Sequence, residues 1–372
     1  MKNILALLTA ILMVSCTPEP VKITVENPLD FDRNGEMVEV RTKALKADFV
    51  NQTYVLKNEK GEEIPYQLWT EGSDSLLIFQ ADVPGGKSSI YTLEKGTPAP
   101  VAAKTHARQV PERKDDFAWE NDLAAYRMYG PALAPENPSN GVDLWLKCTD
   151  SLVMDKFYAD ELERGISYHV NHGLGLDCYS VGHTMGAGGI APYTGQAWIG
   201  NHYDRFEVKA AGPLRSVFTL IYDSIRVDKV YYKAILTVTA DAGSLMNKAV
   251  VRYEGPDAPL KLAAGIFLHK EKGRLFSSED KQVIAYSENA VSDAGIPQGL
   301  NYVGIYIPGA DGGTLEENDH FMLLKKYSPG QDFVYYFGGG WSQWKFPTAD
   351  DWFDAVVRFG LVRKAPLKAG VQ

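Results

Sequence analysis

The chain has 372 residues, a net charge of −9 and 45% hydrophobic residues, with 7 Trp and 20 Tyr. This apolar and aromatic content is sufficient for a large hydrophobic core and excludes a disordered chain. The acidic balance, together with the absence of a run of Lys or Arg, argues against nucleic acid and anionic lipid surfaces as partners.

The first fifteen residues have the pattern of a secretory signal. Lys2 supplies a positive charge, an apolar run follows over residues 4–14, and Ser15 precedes Cys16. The run is too short to cross a bilayer core of about 30 Å, so we expect cleavage rather than a transmembrane helix. A small residue directly before a cysteine is typical of a bacterial lipoprotein signal. The alternative is an ordinary signal peptide whose cysteine lies near the cleavage site by chance.

We therefore predict that residues 1–15 are removed and that Cys16 is acylated and begins a tether at residues 16–20. Acyl chains hold a protein at a membrane without threading it through, so the lipid would be its only membrane attachment. The predicted location is the cell envelope, on the periplasmic face of the outer membrane rather than the cell surface.

Alternation of apolar and polar residues with period two predicts a small β-sandwich over residues 21–96. Turn residues separate the expected strands. These are 21–25, 37–40, 54–56, 66–69, 76–79 and 90–93. A weakly patterned linker at residues 97–114 follows.

The rest of the chain, residues 115–372, is too long for another small sandwich. Long consecutive strands predict two large stacked antiparallel sheets, a supersandwich, so the fold class is mainly all-β. The expected strands are 205–209, 215–222, 231–239, 249–253, 260–268, 283–287, 302–307, 321–325 and 333–337. Helix is sparse, with candidates at residues 152–162 and 349–362.

Residues 168–189 combine three of the seven histidines with many glycines. Glycine at this density predicts irregular backbone that displays polar groups, where binding residues concentrate. Histidine and tyrosine suit proton transfer, so the catalytic candidates are Tyr168, His169, Tyr179 and His183. The alternative is a surface loop with incidental histidines.

A metal site is a second interpretation of the same segment, because His169 and His172 are three residues apart. On a strand these two side chains would point to opposite faces, and only a helical or looped backbone would bring them together. We predict no resident cofactor and leave a divalent metal open. Cys148 and Cys178 could form one disulfide or remain two buried thiols.

Aromatic and directional polar side chains form a second cluster that begins near residue 117. Flat rings can stack on sugars, and guanidinium groups can bind carboxylates through two hydrogen bonds, so this mixture suits a sugar, especially an acidic one. The alternative for Arg127 is an ordinary buried ion pair with Asp122 or Glu120. The substrate-binding candidates are Trp119, Asn121, Arg127, Tyr129, Trp145, Lys147, His172, Arg215 and Trp341.

Several of these segments together resemble a family of Bacteroidetes lipoproteins catalogued as a domain of unknown function. The resemblance covers the whole mature chain. It implies a galactose-mutarotase-like supersandwich, a place among polysaccharide-degradation enzymes, and an oligosaccharide dehydratase or lyase activity. The segments that carry it are residues 117–122, 127–133, 168–169, 172–177, 181–182 and 212–215.

Such an activity would form a 4,5-unsaturated uronate at the end of an acidic oligosaccharide, which is the expected partner. Removal of the C5 proton of a uronate requires neutralisation of its carboxylate, for which Arg127, Lys147 or Arg215 is available. The base that takes the proton would be His169 or Tyr179.

A proton donor, Tyr168 or His183, would assist departure of the group on C4. If that group is a sugar, the enzyme is a lyase; if it is hydroxyl, the enzyme is a dehydratase. Two other classes stay open. One is a non-catalytic glycan-binding lipoprotein, and the other is a mutarotase-like or epimerase-like enzyme that uses Asp177 with His183.

Overall fold

The computed structural model describes residues 19–72, 74–137, 139–270 and 273–372. Strands make up 51% of the structure and helices 11%, which confirms the all-β prediction. The predicted signal peptide and Cys16 lie outside the described residues. Within the described ranges, no helix has the length and apolar character needed to cross a membrane.

The elements are numbered here in chain order. Those up to residue 95 are β1 (Val21–Glu26), β2 (Arg33–Arg41), α1 (Thr42–Leu45), β3 (Tyr54–Lys57), β4 (Tyr66–Glu71), β5 (Asp74–Val83) and β6 (Ser88–Lys95). Those from residue 105 to residue 267 are β7 (Thr105–Val110), β8 (Asp116–Asn121), β9 (Ala125–Met128), β10 (Asn140–Lys147), α2 (Met154–Arg164), β11 (Gly175–Asp177), β12 (His183–Tyr193), β13 (Arg205–Ala211), β14 (Arg215–Val227), β15 (Val230–Asp241), β16 (Asn247–Glu254) and β17 (Leu260–Phe267). The remaining elements are β18 (Arg274–Ser277), β19 (Val283–Val291), β20 (Pro297–Tyr306), β21 (Thr314–Glu317), β22 (His320–Tyr327), β23 (Phe333–Trp341), α3 (Ala349–Lys364) and β24 (Lys368–Val371).

The N-terminal strands form a small sandwich. One sheet has the order β24-β1-β6-β3 and the other the order β2-β5-β4. Alternate side chains point between the sheets, where Ile23, Leu77 and Phe79 are fully buried. The last strand of the chain, β24, pairs with β1, so residues 368–371 belong to the small sandwich rather than to the large domain predicted from the sequence. Pairing between strands so distant in sequence leaves no local signal.

Two large sheets form the rest of the molecule. The first, which we call the β10 sheet, has the order β21-β22-β17-β12-β10-β9-β8-β7, with β11 also paired to β10. The second, the β15 sheet, has the order β13-β14-β15-β16-β23-β20-β19-β18. The core between them contains Phe117, Trp119 and Phe337, and it defines the predicted supersandwich.

Each large sheet carries a helix on its outer face. Helix α2 packs Phe157 and Tyr158 against Trp145 of the β10 sheet. Helix α3 begins at a capping box, in which Thr348 and Asp351 satisfy each other's backbone N–H groups, and it covers the β15 sheet at β19 and β20. Both helices were predicted within two residues of their observed bounds.

The glycine-rich segment is only partly irregular, in contrast to the prediction. Its second half forms β12, which pairs in parallel with β10. The glycines here serve close packing: a Cβ at Gly186 would lie 2.1 Å from the carbonyl oxygen of Val142, and one at Gly188 would lie 2.5 Å from Cβ of Phe337. Both also have positive φ, which disfavours other residues. Backbone packing therefore explains the glycines of this half without any ligand.

Candidate active site

A buried group of charged side chains lies on the outer face of the β10 sheet, with Arg127 of β9 at its centre. The Nη2 atom of Arg127 donates to Oδ2 of Asp177 at 2.9 Å and lies 2.6 Å from Oδ2 of Asp143 in an ion pair. Oδ2 of Asp116 lies 3.7 Å from Nη1. All four side chains are almost completely excluded from solvent. We refer to Arg127, Asp116, Asp143 and Asp177 as the Arg127 cluster.

Aromatic rings enclose the guanidinium of Arg127. Its Cζ lies 4.8 Å from the ring centroid of Tyr129, 5.3 Å from that of Trp145 and 5.8 Å from that of Tyr168. Nη1 also donates to the hydroxyl of Tyr168 at 3.2 Å. Among the described residues, Nε of Arg127 and Oδ1 of Asp143 have no hydrogen-bond partner. Unsatisfied atoms in so enclosed a group are uncommon in purely structural ion pairs.

The cluster holds more negative than positive charge. The carboxylates of Asp143 and Asp177 both lie beside Nη2 of Arg127, and two carboxylates this close cannot both ionise freely. Burial and then the charge of Asp143 raise the pKa of Asp177 to about 7, although Arg127 and His169 act in the opposite direction. Asp177 therefore exchanges a proton near neutral pH, which is typical of catalytic sites.

His169 lies at the solvent edge of the cluster. Its Nδ1 is 3.0 Å from the backbone carbonyl oxygen of Asp177 and 3.6 Å from Oδ2 of the same residue. Because a carbonyl only accepts, Nδ1 carries the hydrogen in the neutral ring and Nε2 keeps a lone pair. The side chain is 34% exposed, and no described residue makes a hydrogen bond to Nε2. In the neutral ring, Nε2 is therefore the atom that can accept a proton.

The loop that carries these groups begins where α2 ends. Gly165 adopts φ of +66° and closes the helix, and the chain then turns back so that Tyr168 and His169 lie beside β11. The backbone N–H of Asp177 donates to the carbonyl oxygen of Tyr168 at 2.8 Å. The loop is thereby fixed to the sheet on which Arg127 lies.

Sequence reasoning missed a second histidine–carboxylate pair nearby. Nδ1 of His269 lies 2.7 Å from Oε1 of Glu288, and its Nε2 lies 2.7 Å from the carbonyl oxygen of Ser180. Glu288 is buried and also accepts from the hydroxyl of Tyr286 and from Nδ2 of Asn301. The two members are 19 residues apart in sequence, His269 in the loop after β17 and Glu288 in β19, so no local pattern links them.

Asp143 is the functional candidate that a sequence signal could have found. It follows Val142 and precedes Leu144 in a strand that is otherwise apolar at its centre. A carboxylate at such a position is rarely buried unless a partner is present. Asp116 has the same character at the start of β8, where every residue is buried.

Several predicted stacking residues lie inside the protein. Trp119 and Trp341 are 1% and 2% exposed, and their indole N–H groups donate to Oδ1 of Asn247 and to the carbonyl oxygen of Gln298. Trp145 is fully buried beneath α2. None of these three rings reaches solvent, so none can stack on a sugar. The alternation of side chains along the strands was predicted correctly, but the sequence did not indicate which face of each strand is covered by other parts of the protein.

One further candidate, Lys147, is occupied in a structural ion pair. Nζ of Lys147 donates to Oε2 of Glu120 at 2.8 Å and to the carbonyl oxygen of Asn121 at 2.7 Å. Glu120 also accepts from the backbone N–H groups of Val153 and Met154, at the start of α2. The pair is buried and fixes α2 to β8 and β10, so Lys147 has no access to a ligand.

The other predicted residues are dispersed. The hydroxyl of Tyr179 donates to the carbonyl oxygen of Phe267 at 3.0 Å, and burial raises the pKa of this tyrosine well above its ordinary value, which makes it a poor base. His172 lies at the surface with Nε2 3.1 Å from the carbonyl oxygen of Ser167. Of the predicted residues, Tyr168, His169 and Arg127 therefore lie together, whereas Trp119 lies in the core between the two large sheets.

His183 and Arg215 line other cavities. His183 is exposed beside a pocket of about 380 Å3 that also contains Asn140 and His202. Arg215 lies between the small sandwich and the β15 sheet, bound to Asp241 and Glu39. Neither makes a hydrogen bond or ion pair with the Arg127 cluster in the described part of the chain.

Among the described residues, the two cysteines are free thiols, and side chains that could bind a metal ion are not clustered. Cys148 and Cys178 are unpaired, and burial raises the pKa of the Cys178 thiol. Across the described residues, no three or more His, Cys, Asp or Glu side chains are arranged to hold a metal ion.

Fold and site together define a β-sandwich architecture of two large sheets with a buried arginine–carboxylate cluster beside an oriented histidine. The chain belongs to the family described as Domain of unknown function (DUF4861), whose model matches residues 25–368.

A relative from Formosa agariphila, "Uncharacterized protein P7", is 26% identical over 392 residues, covering 98% of this chain and 97% of the relative. Among solved structures, the chain is similar to an alpha-mannosidase from Enterococcus faecalis V583, with a TM-score of 0.47, 8% identity and 95% of this chain covered. The chain is also similar to a protein in the Glycosyl Hydrolase Family 38 from Enterococcus faecalis, with a TM-score of 0.48, 8% identity and 95% of this chain covered. The chain spans 46% and 48% of these two structures, about half of their length.

Proposed function

We propose that the protein is a carbohydrate-active enzyme that removes a ring proton from an acidic oligosaccharide, with His169 as the general base. We further propose that the reaction is β-elimination at a uronic acid residue, which gives a 4,5-unsaturated uronate. The observation that supports this most directly is the orientation of His169 by Asp177, whose carboxylate is in turn held by Arg127. A base with a fixed tautomer and an ionisable orienting group matches the general arrangement of proton-transfer sites.

In the proposed step, Nε2 of His169 takes the proton from C5. The electron pair left on C5 forms the C4–C5 double bond as the C4–O bond breaks, and the departing oxygen accepts a proton from an acid. Tyr168 is the better placed of the two predicted donors, because its ring centroid lies 4.6 Å from that of His169. The negative charge of Asp177 stabilises the imidazolium that forms, as the aspartate does in a catalytic triad.

Of the three predicted carboxylate-neutralising cations, Arg127 alone lies in this site. Its contacts with Asp143 and Asp177 leave only Nε without a hydrogen bond to a described residue. Arg127 therefore acts through the residues around it, because it holds the carboxylate of Asp177 and the hydroxyl of Tyr168 in place beside His169. A departing sugar makes the reaction a lyase reaction, and departing water makes it a dehydration.

A non-catalytic glycan-binding protein is the alternative class. Such proteins use exposed flat rings, whereas the tryptophans predicted to stack are buried in this protein. A mutarotase-like or epimerase-like enzyme remains the third class, with His169 rather than His183 as the partner of Asp177. The enzyme proposals share the same base and differ in product.

The test is incubation with a panel of uronate oligosaccharides while absorbance of the conjugated enol uronate is followed. Wild-type protein is expected to produce this absorbance, and His169→Ala to lose about 10²–10⁴-fold in rate, which is the usual contribution of a general base. His106→Ala is the matched control, since this histidine lies on β7, paired with the exposed Asp155.

Normal turnover by His169→Ala would remove His169 as base. Binding of the oligosaccharides by the wild type without absorbance or change in sugar configuration would favour the non-catalytic class. A change in configuration without absorbance would favour the mutarotase or epimerase class.

We also propose that acylation of Cys16 anchors the protein at the periplasmic face of the outer membrane. The motivation is the signal-like pattern of residues 1–15, and attachment through acyl chains adds no spanning segment. Cys16→Ala is expected to move the protein from the membrane to the soluble fraction in cell fractionation. A variant that still sediments with membranes to the same extent as the wild type would contradict the proposed anchor.

A further inference from the structure

A large cleft separates the small sandwich from the outer face of the β15 sheet. Its volume is about 800 Å3, within the range of ligand pockets, and domain interfaces are common positions for such pockets. We call it the interdomain cleft. It lies across the β15 sheet from the core, whereas His169 lies on the outer face of the β10 sheet, so the two sites are on opposite sides of the molecule.

The floor of the interdomain cleft is a row of side chains across neighbouring strands. Thr239 of β15 lies opposite Lys248 of β16, which lies opposite Tyr336 of β23. The hydroxyl groups of Thr219 and Thr237 hydrogen-bond to each other at 2.9 Å in the adjacent row. The floor therefore offers hydroxyl and ammonium groups on a rigid sheet, where strand spacing fixes their positions.

The walls of the cleft are fixed at both ends. At one end, Arg215 binds Asp241 and Glu39, which joins the β15 sheet to the small sandwich. At the other end, Nη2 of Arg363 from α3 donates to Oε1 of Glu36 at 2.8 Å. Since β24 follows α3 and pairs with β1, the chain itself also closes this end. A rigid cleft is preorganised, which reduces the entropy cost of binding.

Three positively charged groups in the cleft are not fully paired. Lys209 and Lys248 are exposed and form no salt bridge or side-chain hydrogen bond with any described residue. Nε of Arg363 is buried and has no hydrogen-bond partner within the described ranges. Glu39 and Asp241 are paired with Arg215, and Glu36 with Arg33 and Arg363, whereas Glu207 lines the cleft without an ion pair to a described residue. The exposed groups without ion pairs are thus two lysines against one carboxylate, which favours an anionic ligand over a cationic one.

We propose that the interdomain cleft is a second saccharide-binding site that holds a non-reacting stretch of acidic polysaccharide. Hydroxyl groups on the floor bind sugar hydroxyls, and Lys209 and Lys248 bind carboxylates along the chain. The choice of an acidic carbohydrate rests on the proposed function, but the cleft itself does not. Two sites on one protein raise its residence on a polymer by avidity, provided that the polymer can reach both.

The test is affinity electrophoresis in gels that contain alginate, polygalacturonate or a neutral β-glucan. Wild-type protein is expected to be retarded by at least one acidic polymer and not by the neutral one. The double variant Lys209→Ala/Lys248→Ala is expected to bind about 2- to 30-fold more weakly, the combined effect of two partly exposed ion pairs. Lys60→Ala/Lys229→Ala carries the same charge change at two exposed turns outside the cleft and is expected to bind as the wild type does.

Equal retardation of the cleft variant and the wild type would overturn the proposal, as would an absence of retardation in both acidic gels. Equal weakening by the Lys60 and Lys229 control would also overturn it, because binding would then follow net charge alone. Turnover of short uronate oligosaccharides separates the two sites: the cleft variant should keep the wild-type rate. A cleft variant that loses polymer binding while no protein shows turnover would sustain the cleft and reject the proposed reaction.

Discussion

Asp177 connects the two halves of the candidate site. Its carboxylate accepts from Arg127, while its carbonyl holds Nδ1 of His169. The sequence predicted Arg127 and His169 as site residues by residue type, but it named Asp177 only as a partner of His183 in the mutarotase-like or epimerase-like alternative. Ionisation in a buried group depends on what surrounds it, and Asp143, which sets much of that environment, lies on a different strand.

Asp177 should make the stability of the protein depend on pH. Burial and Asp143 raise its pKa to about 7 in the folded protein, against an ordinary value of 3.8. The folded state therefore binds this proton more tightly than the unfolded state, so stability falls as pH rises from about 4 to about 7 and is level above that. The slope contributed by one proton is at most about 1.4 kcal/mol per pH unit.

Asp177→Asn is expected to remove this contribution, because an amide does not titrate. Urea unfolding at several pH values between 4.5 and 8 measures the difference between wild type and variant. Asp223→Asn is the control: this aspartate is exposed, and its pKa is lowered by a hydrogen bond from Arg205. An unchanged pH dependence in Asp177→Asn would show that Asp177 is ionised throughout this range.

At the scale of the element, period and composition predicted strands and helices well, because both depend on neighbouring residues. Helix α3 is an example, with Thr348 and Asp351 at its start and buried Trp352 and Val356 one turn apart. The glycine-rich segment was misread for the opposite reason. Gly186 and Gly188 pack closely against Val142 and Phe337, which are distant in sequence. The need for glycine at these two positions therefore depends on the packing of the folded protein and not on neighbouring residues.

The pair His269 and Glu288 should hold the loop after β11 in a pH-dependent way. Both ring nitrogens of His269 face acceptors, Glu288 and the carbonyl of Ser180, so the ring donates twice only when protonated. Burial opposes the charge, but the hydrogen bond to Glu288, its negative charge and the Ser180 carbonyl outweigh it and raise the pKa of His269. The stabilisation of the loop by this pair is therefore fully present below the pKa that His269 has in the unfolded chain. It is lost as pH rises through the raised pKa that His269 has in the folded protein.

We expect hydrogen-exchange protection of residues 178–182 to fall as pH passes above the raised pKa of His269. In His269→Gln the side chain cannot become doubly protonated, so this dependence should disappear. Protection factors, corrected for intrinsic exchange, measure the effect, and His106→Gln serves as the control at the ion pair with Asp155. The same pH dependence in His269→Gln and wild type would assign it to another group.

At the scale of the molecule, the order of domains along the chain was predictable, but the way in which they are joined was not. Strand β24 returns to β1 across most of the chain length, and Gln67 of the small sandwich accepts from the backbone N–H groups of Leu214 and Arg215. Contacts between residues so far apart in sequence depend on the final arrangement of both sandwiches. For the same reason, the sequence indicated Arg215 as a ligand-binding residue when its guanidinium is already saturated by protein carboxylates.

Arg215 should therefore contribute to stability more than to catalysis. Its Nε and Nη2 donate to the two carboxylate oxygens of Asp241 at 2.6 and 2.8 Å, and Nη1 lies 2.7 Å from Oε1 of Glu39. The side chain is 7% exposed, and removal of one partner from a buried ion pair typically costs about 3–5 kcal/mol, because the other charge is left uncompensated.

Arg215→Met is expected to lower the free energy of unfolding by about this amount, as measured by denaturant titration. Arg215→Lys should lose less, since lysine keeps the charge but not the two parallel bonds. Glu39→Gln, at a side chain 47% exposed, should cost less than about 1 kcal/mol. If Arg215→Met unfolds at the same denaturant concentration as the wild type but loses retention on acidic polysaccharide, Arg215 belongs to the ligand contacts of the interdomain cleft instead of the connection between the two sandwiches.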